Sequence, residues 1–184
     1  MLLKGGISLK LKIGVIGSGD DLGKGLSEKS EEIGREIARL NCILLSGAGS
    51  GLPYDASKSA KLAGGLVIGI SPAANLEEHL EKYKFPVEFF DALVFTGFGL
   101  KGRNVPFVRT CDGIVLISGG IGTLNEFTIA YDEGKVVGIL EGSGGISESI
   151  KEIVGNTGKK GGKIIYDSEP CSLVTKLVES IKQA

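Results

Sequence analysis

Seven short apolar runs punctuate the chain, and most of them end on glycine or on a small polar residue. They lie at residues 11–16, 43–46, 66–70, 92–96, 113–117, 136–140 and 163–166, and each is the length of a strand. The run Gly113-Ile114-Val115-Leu116-Ile117 has no polar side chain at all, as expected of a parallel strand buried on both faces. Between the runs, apolar residues return at helical spacing. Helices are predicted over 26–40, from Pro53 through Ala56, Ala60 and Ala63, and over 75–84, 105–110, 123–132, 147–154 and 171–183. In the first, Ile33, Ile37 and Leu40 share a face, and Glu28, Glu31, Glu32 and Arg35 lie outside it. In the last, Leu173, Leu177, Val178 and Ile181 point inward. Regular alternation of strand and helix predicts an α/β fold: a Rossmann-like, doubly wound, mostly parallel sheet of about seven strands with helices on both faces. No break in composition divides the chain, so 1–184 reads as one domain, with 1–9 as a flexible or edge-pairing arm.

In such sheets ligands sit at the carboxyl ends of the strands, near the reversal of strand order. Four glycine-rich turns would gather there. The first is Gly17-Ser18-Gly19, the second Gly47-Ala48-Gly49-Ser50-Gly51, the third runs from Gly97 to Gly102, Arg103 and Asn104, and the fourth is Ser118-Gly119-Gly120-Ile121-Gly122-Thr123-Leu124-Asn125-Glu126. The fourth is the most informative. Its glycines let backbone amides approach a ligand, and the helix that follows adds unpaired N–H groups and a partial positive charge. That combination suits a phosphate, held by the amides of Gly119, Gly120, Gly122 and Thr123. Glu126 lies one turn into the helix, within reach of the same pocket. Thr123-x-x-Glu126 also has the form of a capping box, and a carboxylate engaged in capping is not free to touch a ligand. Arg103 has two readings as well, a surface ion pair or a guanidinium turned into the pocket.

Composition narrows the chemistry. Thirty of the 184 residues are glycine, well above the usual ~7%, and they cluster at strand ends. Net charge is −1 with no basic cluster, which argues against nucleic acid as a partner. No apolar run approaches the length of a membrane span or of a leader, so the expectation is a cytoplasmic protein with no membrane partner. Cys42, Cys111 and Cys171 are scattered without metal spacing and read as buried, reduced thiols. The one histidine, His79, lies in a polar stretch and reads as surface-exposed. A Ser-His-Asp triad or a histidine metal site therefore has nothing to be built from, and no metal is expected. A dinucleotide fingerprint is also a poor fit: Gly17-x-Gly19-x-x-x-Gly23 has the wrong spacing, and Ser46-Gly47 replaces the acidic residue at the next strand end.

Three segments in order resemble the LOG family, once labelled "possible lysine decarboxylase", and its relatives the molybdenum-cofactor carrier proteins. The motif P-G-G-x-G-T-x-x-E is matched by Ser118 to Glu126, G-G-G-x-x-G-L-M by Gly47-Ala48-Gly49-Ser50-Gly51-Leu52-Pro53, and the first loop by Gly17-Ser18-Gly19. An arginine ahead of the fifth strand is matched by Arg103. The likeness runs from about Lys12 to the last helix. Three positions depart from the enzyme branch: Ser118 stands for proline, Asn125 for glutamate, and Asn104 for lysine. The resemblance implies cleavage of a nucleoside 5′-monophosphate to free base and ribose 5-phosphate, with Glu126 and Arg103 as catalytic residues. It implies as the alternative a non-catalytic carrier of molybdenum cofactor or a related pterin or nucleotide phosphate. The ligand-binding set would be Gly17, Ser18, Gly19, Gly47, Gly49, Ser50, Gly51, Gly102, Asn104, Ser118, Gly119, Gly120, Gly122 and Thr123. It requires no cofactor beyond a bound nucleotide phosphate or molybdenum cofactor, and implies a homodimer or homotetramer. The decarboxylase label has no support, since no lysine has a setting that favours a Schiff base with pyridoxal phosphate.

Overall fold

The structure, a computed structural model, describes residues 9–20 and 22–183. The arm expected at 1–9 thus falls almost wholly outside the described residues. Seven parallel strands form one sheet: β1 (Lys12–Gly17), β2 (Ile43–Ser46), β3 (Leu66–Ser71), β4 (Ala92–Phe95), β5 (Gly113–Ile117), β6 (Val136–Leu140) and β7 (Ile164–Asp167). Their order is β4-β3-β2-β1-β5-β6-β7. Eight α-helices connect or follow them among the described residues: α1 (Lys24–Arg39), α2 (Leu52–Leu62), α3 (Leu76–Glu81), α4 (Gly99–Gly102), α5 (Asn104–Thr110), α6 (Ile121–Asp132), α7 (Ile150–Thr157) and α8 (Pro170–Gln183). The fold is the α/β, Rossmann-like arrangement that the alternation of runs predicts.

The periodicities place the core. β1 alternates, with Ile13 and Val15 packed toward Ile33 and Ile37 of α1, Ala56 of α2 and Leu173 and Leu177 of α8. Ile16 faces the other way, into the layer made with Phe107 of α5, Phe127 of α6 and Ile150 of α7. β5, next to β1 in the middle of the sheet, is buried at every position, and its side chains divide between the two core layers. α1 and α2 approach closely because residue 34 is glycine. A Cβ there would overlap the carbonyl oxygen of Ala56, while Ser59 Oγ donates across the gap to the Glu31 carbonyl at 2.6 Å.

The order reverses between β1 and β5: the chain winds outward from β1 through β2, β3 and β4, then returns to pair β5 on the other side of β1. The two strands run in register to their carboxyl ends, Gly17 opposite Ile117. The loops leaving them must part there, and the crevice lies between them.

Two expectations fail. His79 is fully buried rather than exposed. Its neighbours Glu77, Glu78 and Glu81 make the stretch look solvated, but α3 sits over the end of β3. Ser71 Oγ lies 2.9 Å from His79 Nδ1, and the Pro86 carbonyl lies 3.0 Å from Nε2. A carbonyl can only accept, so Nε2 carries a proton and donates to it. Cys171 is exposed in the first turn of α8, whereas Cys42 and Cys111 are buried free thiols as expected.

Candidate functional site

The turn after β5 takes its shape from two consecutive residues in left-handed conformation, Ser118 (φ 55°) and Gly119 (φ 92°). Gly120 is extended and α6 begins at Ile121, two residues earlier than the spacing predicts. Thr123 is therefore inside the first turn and not the N-cap, and the capping box does not form. Its hydroxyl instead donates to the Gly17 carbonyl at 3.1 Å, tying the β5 turn to the end of β1. The turn is braced from behind. The Ser118 N–H donates to Ser143 Oγ at 2.8 Å, and the Ile146 N–H donates to the Gly119 carbonyl at 2.8 Å.

A cavity of about 330 Å³ opens in the crevice. Twelve of the residues named from sequence line it. They are Gly17, Ser18 and Gly19 after β1; Gly47, Gly49 and Ser50 after β2; Arg103 and Asn104 where α4 passes into α5; and Gly120, Gly122, Thr123 and Glu126 at the start of α6. Gly120 and Gly122 have open space where a Cβ would be. Like any helix start, α6 has first-turn N–H groups without intrahelical partners and carries the positive end of the helix dipole.

The other four stand outside the lining. A Cβ on Gly51 would overlap the Ser18 carbonyl, so this glycine is where the first two loops touch. Gly102 ends α4 and packs on Phe98. Ser118 and Gly119 shape the turn rather than the wall. The turn after β4 is also less loose than its glycines suggest, because Gly99–Gly102 is helical. Leu100 and Lys101, inside the third glycine-rich turn, complete the lining with Val15, Ile16, Asp20, Pro53 and Phe85, to which the glycine signal does not point.

Glu126 and Arg103 meet inside this cavity. Arg103 Nη1 stands 3.5 Å from Glu126 Oε1, with the side chains only 11% and 10% exposed. The guanidinium lies over the Phe107 ring, 5.7 Å from its centroid, and presses on Gly47, where a Cβ would overlap Nη1. Its Nε is buried with no hydrogen-bond partner among the described residues. Burial outweighs the mutual attraction in both groups. It pushes the Glu126 carboxyl up to about 7, against the pull of Arg103 and Lys101, and it lowers the Arg103 guanidinium from its ordinary value, against the pull of Glu126.

Asn104 supports the pair. Its side chain meets that of Asn125 at 2.8 Å; oriented with its nitrogen toward Glu126, it donates to Oε1 at 3.2 Å and to the Leu100 carbonyl at 3.1 Å, and its oxygen is then the atom that faces Asn125. Two departures from the LOG pattern, Asn104 and Asn125, are thus in contact with each other. A neutral amide pair stands where the enzyme branch carries lysine and glutamate.

A family model for the SLOG cluster4 family matches residues 10–174. The chain belongs to this family. An uncharacterized protein of Archaeoglobus fulgidus is 33% identical to this SLOG cluster4 chain over 131 residues, covering 71% of the chain and 80% of the relative. The structure of the molybdenum cofactor binding protein from the phototrophic bacterium Rippkaea orientalis is similar at a TM-score of 0.76 and 27% identity, covering 95% of this chain and 98% of that one. The molybdenum cofactor carrier protein of Chlamydomonas reinhardtii is similar at 0.77 and 26%, covering 96% and 100%. The LOG and carrier-like resemblance drawn from the glycine motifs therefore holds across nearly the whole chain.

Proposed function

We propose that the cavity binds a small phosphorylated, nucleotide-like ligand and cleaves the N-glycosidic bond of a nucleoside 5′-monophosphate. The observation that carries this reading is the uncapped, buried Glu126 carboxyl, held 3.5 Å from Arg103 in a cavity that also includes the start of α6. The 5′-phosphate takes the amides of Gly120, Gly122 and Thr123. Breaking the bond between C1′ and the base nitrogen leaves positive charge on the ribose, as in glycoside hydrolysis. The Glu126 carboxylate stabilises that charge and orients the attacking water. Water supplies the hydroxyl to C1′, and its proton leaves on the base. Arg103, which lines the cavity beside Glu126, is placed to hold an anionic oxygen of the ligand.

The test is incubation with a panel of nucleoside monophosphates, scored for ribose 5-phosphate. Turnover lost in Glu126→Gln is the expected result. A second reading is a carrier that holds a phosphorylated pterin or nucleotide without turning it over. The neutral Asn104–Asn125 pair and the names of the Rippkaea and Chlamydomonas structures favour it. Saturable binding with no product from any monophosphate decides for the carrier.

The same carboxyl sets a pH dependence. Glu126 works ionised, so kcat/KM should climb about tenfold per pH unit below about 7 and flatten above it. The stability effect has the opposite sign. The folded protein holds a proton on Glu126 above the ordinary value of 4.5, so the stabilising contribution is complete below that pH and is lost as pH rises through about 7. Relative to Glu126→Gln, the wild type should lose up to about 3 kcal/mol across that window, measured by urea melts at several pH values. A difference between the two proteins that is flat in pH counts against a buried, neutral-leaning Glu126.

A further inference from the structure

The cavity has an end that phosphate chemistry does not explain. Phe85, in the segment between α3 and β4, stands in the wall near Gly49, and Pro53 and Leu100 also line the cavity. Its ring lies against Gly49, where a Cβ would stand 3.2 Å from the ring edge. Tyr83 stacks on it at 5.5 Å between centroids, with the planes 29° apart. His79 meets it edge-on at 5.7 Å and 73°.

The backbone is held as firmly as the ring. The Phe85 N–H donates to the His79 carbonyl at 3.2 Å, and the next carbonyl, that of Pro86, accepts from the buried His79 ring. Lys84 between these contacts is in left-handed conformation, φ 54°, a cost that an unconstrained lysine would relax away. Phe85 is the one aromatic ring among the described residues of this lining, and, positioned in this way, it provides a flat apolar surface. Small-molecule sites use such a surface to take the planar part of a ligand.

Resting on the reading above, we propose that Phe85 is the specificity-determining residue of the cavity. It packs against the planar heterocycle of the ligand while the phosphate sits at the start of α6. The ligand class is then a phosphorylated compound that carries an aromatic ring, and neither inorganic phosphate nor a phosphosugar fills the site.

The experiment is calorimetric titration of wild type, Phe85→Leu and Phe85→Ala with AMP, GMP, ribose 5-phosphate and inorganic phosphate. Leucine keeps apolar volume and serves as the folded control, checked by circular dichroism. Wild type is expected to bind the monophosphates at least about tenfold more tightly than ribose 5-phosphate. Both substitutions should weaken AMP and GMP by roughly 10- to 100-fold, the range for loss of a base–aromatic stack, and change ribose 5-phosphate by no more than about twofold. Equal weakening of all ligands makes Phe85 a structural wall and overturns the assignment. So does unchanged AMP and GMP affinity, or a wild type that binds ribose 5-phosphate as tightly as AMP; in those cases the phosphate reading survives. A wild type that binds none of the four overturns both.

Discussion

Replacing Ser118 with proline, the residue the LOG motif carries, is expected to break the β5 turn rather than perfect it. Proline fixes φ near −65°, while Ser118 sits at φ 55°. The substitution also deletes the buried N–H that donates to Ser143 Oγ at 2.8 Å. A backbone conformation forbidden to the new residue together with a lost buried bond should cost about 3 kcal/mol or more. For a chain of this length that is a melting temperature lower by roughly 6–12 °C. The effect should reach the ligand as well. Ser118 and Gly119 set where Gly120 and the first turn of α6 stand, so nucleoside monophosphate affinity should fall together with the melting point. Ser118→Gly is the control. Glycine takes positive φ freely and keeps the N–H, so its stability should stay within about 1 kcal/mol of wild type. If the proline variant melts like wild type and binds like it, the left-handed turn is not what holds the site.

The contrast between motif and geometry at Ser118 shows what this sequence makes legible. The seven strands could be read because central parallel strands are covered on both faces and lose their polar alternation. β5, buried at all five positions, is the plainest of them. The gathering of glycine turns was equally readable, since the topology forces the loops after β1 and β5 apart at one end of the sheet. What escaped depends on contacts between distant segments. Nothing near His79 hints at burial, which is decided by Ser71 and by the Pro86 carbonyl. Phe85 looks like a helix stop, and becomes a cavity wall only because Gly49, far along the chain, lets the ring lie down. α4 forms on two glycines, against propensity, with the Gly99 N–H donating to the Pro72 carbonyl and the Arg103 N–H to Gly99. Asn104 and Asn125 register separately as departures from a pattern, and only their 2.8 Å contact makes them one change. The start of α6 is hidden for a local reason. Gly120-Ile121-Gly122 offers no capping side chain, so Thr123 drew the boundary to itself.

Gly47→Ala should disable the site while leaving the fold in place. Gly47 has no left-handed φ, so alanine imposes no backbone strain there. What the added Cβ meets is the Arg103 guanidinium. It would overlap Nη1 and come within 2.8 Å of both Cζ and Nη2. A buried guanidinium between Gly47, the Phe107 ring and Glu126 has to move as a whole, and moving it strips Glu126 of its counter-charge. The carboxyl would then rise above about 7, because burial, already the dominant cause of its shift, would lose its main opponent. Two measurements follow. Affinity for AMP should drop by about tenfold or more, and the rising limb of the pH–activity profile should move to higher pH by roughly one unit, on a protein whose melting temperature stays within a few degrees of wild type. A double-mutant cycle tests the cause. Because Gly47→Ala and Arg103→Ala act on one group, the double variant should be little worse than the more damaging single one. Additive losses would mean that Gly47 serves the ligand directly through its own amide, and that Arg103 contributes from elsewhere.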